Sequence, residues 1–134
     1  MNRYIRSIFF LASIMISQTA MAQNTNIHRA NKSVNEISYK YAQCAAYFNL
    51  MAVCLKVSSY PQSTINAYKR LSSIALKRGL EMGKIINLSE DAHAARFQIE
   101  MNSQMKLLNK SCVNISSLQI RFENLCENLM KYAR

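Results

Sequence analysis

The hydrophobic positions along this chain form three patterns. Residues 8–16 are a short, mainly apolar run near the N-terminus, and residues 41–55 are apolar on nearly every side. In the last segment, apolar residues recur at steps of three and four: Leu118, Phe122, Leu125, Leu129 and Tyr132. Steps of three and four place side chains on one face of an α-helix, whereas an all-round apolar segment is typical of a helix inside a bundle.

Turn-forming residues divide the rest of the chain into helical stretches. After residue 33 the sequence contains only Gly79, Gly83 and Pro61 from the two strongest helix-breaking types, which argues against a β-fold rich in tight turns. We therefore predict four helices, over roughly residues 34–57, 60–83, 89–109 and 116–132.

Each of the last three predicted helices has a serine start signal. Ser59 and Ser116 each have a glutamine three residues later, the spacing of a capping box, and Ser89 precedes two acidic residues that favour a helix N-terminus. Gly83 is the predicted terminator of the second helix.

The first 22 residues have the three parts of an export signal. Arg3 and Arg6 precede the apolar run, and Ala20 to Ala22 form an A-x-A cleavage site. The apolar run is about half as long as the roughly 20 residues that cross a membrane. We predict a signal peptide over residues 1–22, cleaved after Ala22, and a periplasmic or secreted product with no transmembrane segment.

The exported part is predicted to form a single domain. Residues 23–33 are polar and lack periodicity, so they are interpreted as a flexible leader. Residues 34–134 are then one helical domain, of a size at which one core is usual.

Four cysteines, all outside the signal, constrain the arrangement of the helices. Cys44 and Cys54 are about 15 Å apart on one helix, too far to form a disulfide with each other, and Cys112 and Cys126 are excluded in the same way. Two connectivities are left. Helices joined by short links pack up-down-up-down, which makes the first and last antiparallel and favours Cys44–Cys126 with Cys54–Cys112. The other connectivity, Cys44–Cys112 with Cys54–Cys126, requires parallel helices.

The sequence thus predicts an all-α fold, a small up-down-up-down four-helix bundle stapled by two disulfides. An oxidising compartment permits such disulfides.

Catalytic and cofactor signals are weak. The cysteines show no C-x-x-C pair, zinc spacing or haem-attachment motif. His93 is the only histidine in the predicted domain, and several acids have a basic residue four positions away, such as Glu127 with Lys131. We expect no enzyme and no cofactor.

A metal site is a minor alternative on the third helix. His93, Met101 and Met105 recur at helical spacing, and imidazole and thioether ligands suit reduced copper. Phe97 interrupts the row, and methionines at this spacing are ordinary core residues. Core packing is the favoured interpretation.

The distribution of charge is the surface property that most directly suggests a function. The chain has a formal net charge of +10, and the predicted signal peptide carries two of its 17 basic residues and none of its seven acids. Five basic residues cluster on and just after the second helix: Lys69, Arg70, Lys77, Arg78 and Lys84. At about 100° per residue they occupy one half of the helix, opposite Tyr68, Leu71, Ala75 and Met82. Such a strip attracts anionic groups, although it also serves simply as a solvated face.

These features favour a binding protein. The first hypothesis is an exported interaction protein, such as an inhibitor, immunity factor or accessory subunit, that docks through the basic helix face onto a protein or an anionic envelope component. Nucleic acid is disfavoured because no basic-aromatic motif is present. The alternative is a carrier of a small ligand or copper, with a pocket between helices near His93, Met101 and Met105.

Overall fold

A computed structural model describes the backbone of residues 2–132 and the side chains of residues 26–132. Its four α-helices are α1 (Asn2–Val57), α2 (Gln62–Ile85), α3 (Glu90–Leu107) and α4 (Ile115–Lys131), with a 3₁₀ turn at Cys112–Asn114 before α4. The described residues contain no strand. The protein is a small all-α bundle, as predicted.

Helix α1 begins much earlier than the sequence prediction. It starts at Asn2 rather than Val34, and it includes the polar residues 23–33. Neither glycine nor proline occurs before residue 58, so no residue in this stretch strongly opposes helix formation. The chain divides into two compact units between Ser33 and Val34.

The predicted export signal covers residues 1–22, and the structure describes side chains only from residue 26 onward. The division into residues 1–22, 23–33 and 34–134 therefore stays a prediction. Among the described residues, no helix has both the length and the apolar character needed to cross a bilayer.

The C-terminal half of α1 is the central helix of the bundle. Tyr47, Leu50 and Met51 are fully buried there, and small residues such as Ala42 and Ala45 let the other helices approach closely. The all-round apolar character of residues 41–55 predicted this placement.

Both predicted disulfides are present. Cys44 is bonded to Cys126 and Cys54 to Cys112, with Cα–Cα distances of 5.3 and 5.2 Å. Cys44, the earlier cysteine of α1, thus pairs with Cys126 near the end of α4, and the later Cys54 pairs with Cys112 just before α4 begins. Helices α1 and α4 are therefore antiparallel. The two disulfides indicate an oxidising environment.

Buried polar side chains are bonded to backbone carbonyls of neighbouring helices. The Ser72 hydroxyl on α2 donates to the carbonyl of Ala45, and the Gln104 amide on α3 donates to the carbonyl of Gln43, both at 2.9 Å. Because a buried polar group without a partner is costly, these bonds favour one relative position of the helices.

Gly79 lies where side chains of α1 and α3 pack directly against the backbone of α2. A Cβ atom there would lie 2.5 Å from Cε1 of His93 and 3.0 Å from Cβ of Tyr41. The Ser38 hydroxyl also donates to the Gly79 carbonyl at 2.9 Å. Glycine at position 79 therefore serves helix packing.

The prediction that Gly83 terminates the second helix is wrong. Helix α2 continues to Ile85, and Gly83 lies inside it without a positive φ. The turn is made by Asn87, whose φ is 58°, and the Leu88 amide donates to the Gly83 carbonyl at 3.0 Å. Asparagine tolerates the left-handed region better than most residues, which explains why Asn87 can form the turn in place of a glycine.

Only one of the three predicted serine caps is correct. Ser89 caps α3, because its hydroxyl accepts from the Ala92 amide at 3.1 Å. Ser59 instead adopts a left-handed turn conformation with a φ of 58°, and Pro61 is the N-cap of α2. Ser116 lies inside α4, since the 3₁₀ turn starts this helix at Ile115.

The apolar stripe of α4 faces the core over most of its length. Leu118 and Phe122 are buried, and Leu125 and Leu129 are half-buried. Tyr132 is 87% exposed, contrary to the prediction, because the helix ends at Lys131.

Candidate functional site

The five basic residues on α2 form a solvent-facing strip, called here the basic surface: Lys69, Arg70, Lys77, Arg78 and Lys84. All are exposed except Arg78, which is half-exposed. The opposite side of α2 is held in the core by Ser72, Ala75 and Gly79. The packing of α2 thus fixes the direction in which the basic surface points.

Two members of the basic surface have carboxylate neighbours. Arg78 lies 3.1 Å from Glu81, and Lys84 lies 3.3 Å from Glu90. Both pairs are partly exposed, and such pairs contribute only about 0–1 kcal/mol. Lys69, Arg70 and Lys77 form no ion pair with any other described residue, so they hold the unneutralised charge of this surface.

The predicted pairing of Glu127 with Lys131 is absent. The Lys131 ammonium instead donates to the side-chain oxygen of Asn128 at 3.3 Å. An exposed pair at this spacing contributes only about 0.3–0.5 kcal/mol, so a competing hydrogen bond readily displaces it. Glu127 is left without an ion pair among the described residues.

His93 is a buried core residue. Its Nε2 donates to the carbonyl of Leu76 at 3.0 Å, while Nδ1 has no partner and is buried. Burial lowers the pKa of His93, the Leu76 hydrogen bond raises it to a smaller extent, and Arg96 lowers it. The neutral ring is therefore the favoured form in the folded protein.

The candidate copper ligands His93, Met101 and Met105 do not converge on one point. Along α3, His93 lies about 12 Å from Met101 and about 18 Å from Met105 at 1.5 Å per residue. Met101 is half-buried and its sulfur accepts from the Asn49 amide at 3.6 Å, whereas Met105 is 43% exposed. Helix geometry thus separates the three side chains.

The described residues contain no cluster of three or more histidine, cysteine, aspartate or glutamate side chains that could hold a metal ion.

A cavity of about 460 Å³ lies elsewhere, between α1, α2 and α4. It is called here the aromatic cavity, and its lining residues are Tyr47, Phe48, Tyr68, Leu71, Ile74, Glu123, Glu127, Met130 and Lys131. Tyr47 and Phe48 come from the buried helix α1, whereas Glu123 and Glu127 are exposed on α4. An apolar, aromatic interior with a few charged groups at its edge is typical of small-molecule sites.

Burial and two nearby glutamates raise the pKa of both tyrosines that line the aromatic cavity. Burial is the main cause that raises the pKa of both Tyr47 and Tyr68, and the negative charges of Glu123 and Glu127 raise both further. Neither tyrosine hydroxyl makes a hydrogen bond with another described residue. Both phenols are therefore neutral near pH 7.

The sequence pattern does not indicate this cavity. Tyr47 and Phe48 fit the pattern of ordinary core residues, and the shared face of Glu123 and Glu127 fits a solvated helix surface. The one local signal was two like charges at a spacing of four residues, an arrangement that destabilises an isolated helix.

No protein family, curated protein or solved structure matches this chain.

Proposed function

We propose that this protein is an exported binding protein that docks onto an acidic protein or another anionic component of the cell envelope through the basic surface of α2. The observation that carries this proposal is the set of three exposed cations, Lys69, Arg70 and Lys77, that have no carboxylate partner among the described residues.

The three cations are suited to recognition because their backbone is held rigidly. Helix α2 packs through Ala75 and Gly79, and the Ser72 hydroxyl is bonded to the central helix. Charges with a fixed orientation lose little conformational freedom of the backbone when a partner binds, and they also accelerate its encounter.

Export supports the same proposal. The N-terminal leader has the pattern of a cleavable signal, and the two disulfides suit an oxidising compartment. A periplasmic or secreted protein with this leader should begin at Gln23. N-terminal sequencing of the protein recovered from periplasm and culture medium measures this start directly, and a start at Met1 would contradict cleavage.

Charge reversal tests the docking surface. The variant Lys69→Glu/Arg70→Glu/Lys77→Glu should lose a partner that the wild-type protein captures from an envelope extract at low salt. The matched control reverses three exposed lysines elsewhere, Lys56, Lys106 and Lys110, which changes the net charge equally.

The two charge-reversed variants separate a specific surface from a general charge effect. The proposal expects the control to retain the partner and the wild-type interaction to weaken as salt increases. An unchanged partner set in the first variant, or an equal loss in both, would refute docking at the basic surface.

A further inference from the structure

We infer that the aromatic cavity between α1, α2 and α4 binds a small amphipathic cation, an organic ammonium ion that carries a short hydrocarbon group. This inference does not depend on the docking function of the basic surface. It is based on the size of the cavity, its aromatic walls and the charge at its edge.

The size of the cavity suits a small molecule. Its volume of about 460 Å³ falls within the range of about 300–1,000 Å³ that is usual for ligand pockets. Leu71, Ile74 and Met130 provide an apolar lining from α2 and α4. Ile74 is still 37% exposed, so a hydrocarbon group that covered it would remove apolar surface from water.

Three aromatic rings form one wall. The ring centroids of Tyr47 and Phe48 are 5.2 Å apart, and those of Phe48 and Tyr68 are 6.2 Å apart, with the ring planes tilted by 50° and 48°. Tyr47 and Phe48 are 2% and 4% exposed, so the half-buried Tyr68 is the ring most accessible to a ligand. The face of an aromatic ring attracts a quaternary or primary ammonium group because that face is electronegative.

The edge of the cavity carries two carboxylates one helical turn apart. Glu123 and Glu127 both lack an ion pair with any described residue, although the chain has 17 basic residues and only seven acids. The one cation of the lining, Lys131, donates to Asn128. Two carboxylates against one ammonium leave the lining with a net negative charge.

This charge decides between ligand classes. The positive net charge of the whole protein attracts anions at long range, but the two carboxylates repel an anion that enters the cavity. A neutral hydrocarbon would use the apolar lining without the carboxylates. An amphipathic cation is the class that uses the lining, the aromatic faces and both carboxylates.

Three probes with the same hexyl chain test this assignment: hexyltrimethylammonium, hexan-1-ol and hexyl sulfate. Each is titrated into the disulfide-intact protein and followed by two-dimensional NMR. We expect hexyltrimethylammonium to shift the signals of Tyr68, Ile74 and Glu127 and to bind at least about fivefold more tightly than hexan-1-ol, as two added charge contacts imply. Hexyl sulfate should leave these signals unchanged.

Variants then separate the role of charge from that of the apolar lining. Glu123→Gln/Glu127→Gln should weaken hexyltrimethylammonium binding about five- to tenfold, because two partly exposed charge contacts are lost, and should leave hexan-1-ol binding unchanged. The matched control, Glu36→Gln/Asp91→Asn, removes two acids that do not line the cavity and should change neither. Tyr68→Leu keeps an apolar side chain without an aromatic face and should weaken the binding of hexyltrimethylammonium more than that of hexan-1-ol.

Several outcomes would overturn the inference. Equal or tighter binding of hexan-1-ol or hexyl sulfate would show a cavity without preference for cations. Shifts confined to residues outside the cavity would place the site elsewhere. If both double variants weakened the binding of hexyltrimethylammonium equally, the glutamates would act only through the net charge of the protein.

Discussion

Removal of the disulfide Cys44–Cys126 should destabilise this protein more than removal of Cys54–Cys112. The two variants are Cys44→Ala/Cys126→Ala and Cys54→Ala/Cys112→Ala. The bridges are nested, because the pair with a sequence separation of 82 encloses the pair with a separation of 58. Each variant therefore keeps one bridge that still constrains the unfolded chain.

Chain entropy alone hardly distinguishes the two bridges. With Cys54–Cys112 intact, the outer bridge closes a ring of about 24 residues, and its loss costs about 3.5 kcal/mol by the loop-length relation. With the outer bridge intact, the same relation gives about 3 kcal/mol for loss of the inner one.

Packing provides the larger difference. Cys44 and Cys126 are both completely buried, whereas Cys54 is buried and Cys112 is half-exposed. Each fully buried sulfur replaced by hydrogen loses about 1 kcal/mol of burial and leaves a small void. The expected total is about 5.5 kcal/mol for the outer bridge and about 4 kcal/mol for the inner bridge.

Urea denaturation followed by far-ultraviolet circular dichroism measures both losses in free energy of unfolding, with wild-type protein measured in parallel. A loss for the inner bridge that equals or exceeds that for the outer one would refute the packing argument. A loss below about 1 kcal/mol for either variant would refute the estimate from loop entropy.

Two further predictions concern the contact between α2 and α3. Gly79→Ala should lower the free energy of unfolding by about 1–3 kcal/mol, because the added methyl group overlaps the ring of His93. The control Gly83→Ala should cost less, since its Cβ would have no neighbour nearer than 3.1 Å. Thermal denaturation compares the two variants, and equal losses of stability would contradict the role of Gly79. The lowered pKa of His93 means that the unfolded chain binds a proton at higher pH than the folded protein does. The free energy of unfolding should therefore fall as the pH drops below about 6.5, and urea denaturation of His93→Gln should show a smaller fall between pH 7 and pH 5; an identical profile would contradict this assignment.

Much of the fold follows from local physical constraints in the sequence. Cys44 and Cys54 are too far apart on one helix to bond with each other, and so are Cys112 and Cys126, so helix length leaves only two disulfide connectivities. The all-round apolar stretch of residues 41–55 likewise requires burial on every side, which predicts the central helix. These inferences succeed because they depend on residues close together in the sequence.

Helix ends are predicted less well because several local solutions compete. Ser59 has capping-box spacing, yet it adopts the left-handed conformation of the preceding turn. Gly83 is a permissive residue near the end of α2, yet Asn87 makes the turn while Gly83 lies buried within the helix. At Gly83, close contacts with Leu88 and Ser38 account for the glycine inside the helix.

The sequence by itself determined that this is a basic, disulfide-linked helical bundle, because periodicity, cysteine spacing and charge are properties of short segments. Only the tertiary structure decided that Tyr47, Tyr68 and Glu127 line one cavity and that the His93 ring is bonded to the Leu76 carbonyl. The reason is geometric. A cavity between three helices depends on the rotation and spacing of each helix relative to the others, and these are fixed by side chains distant in sequence.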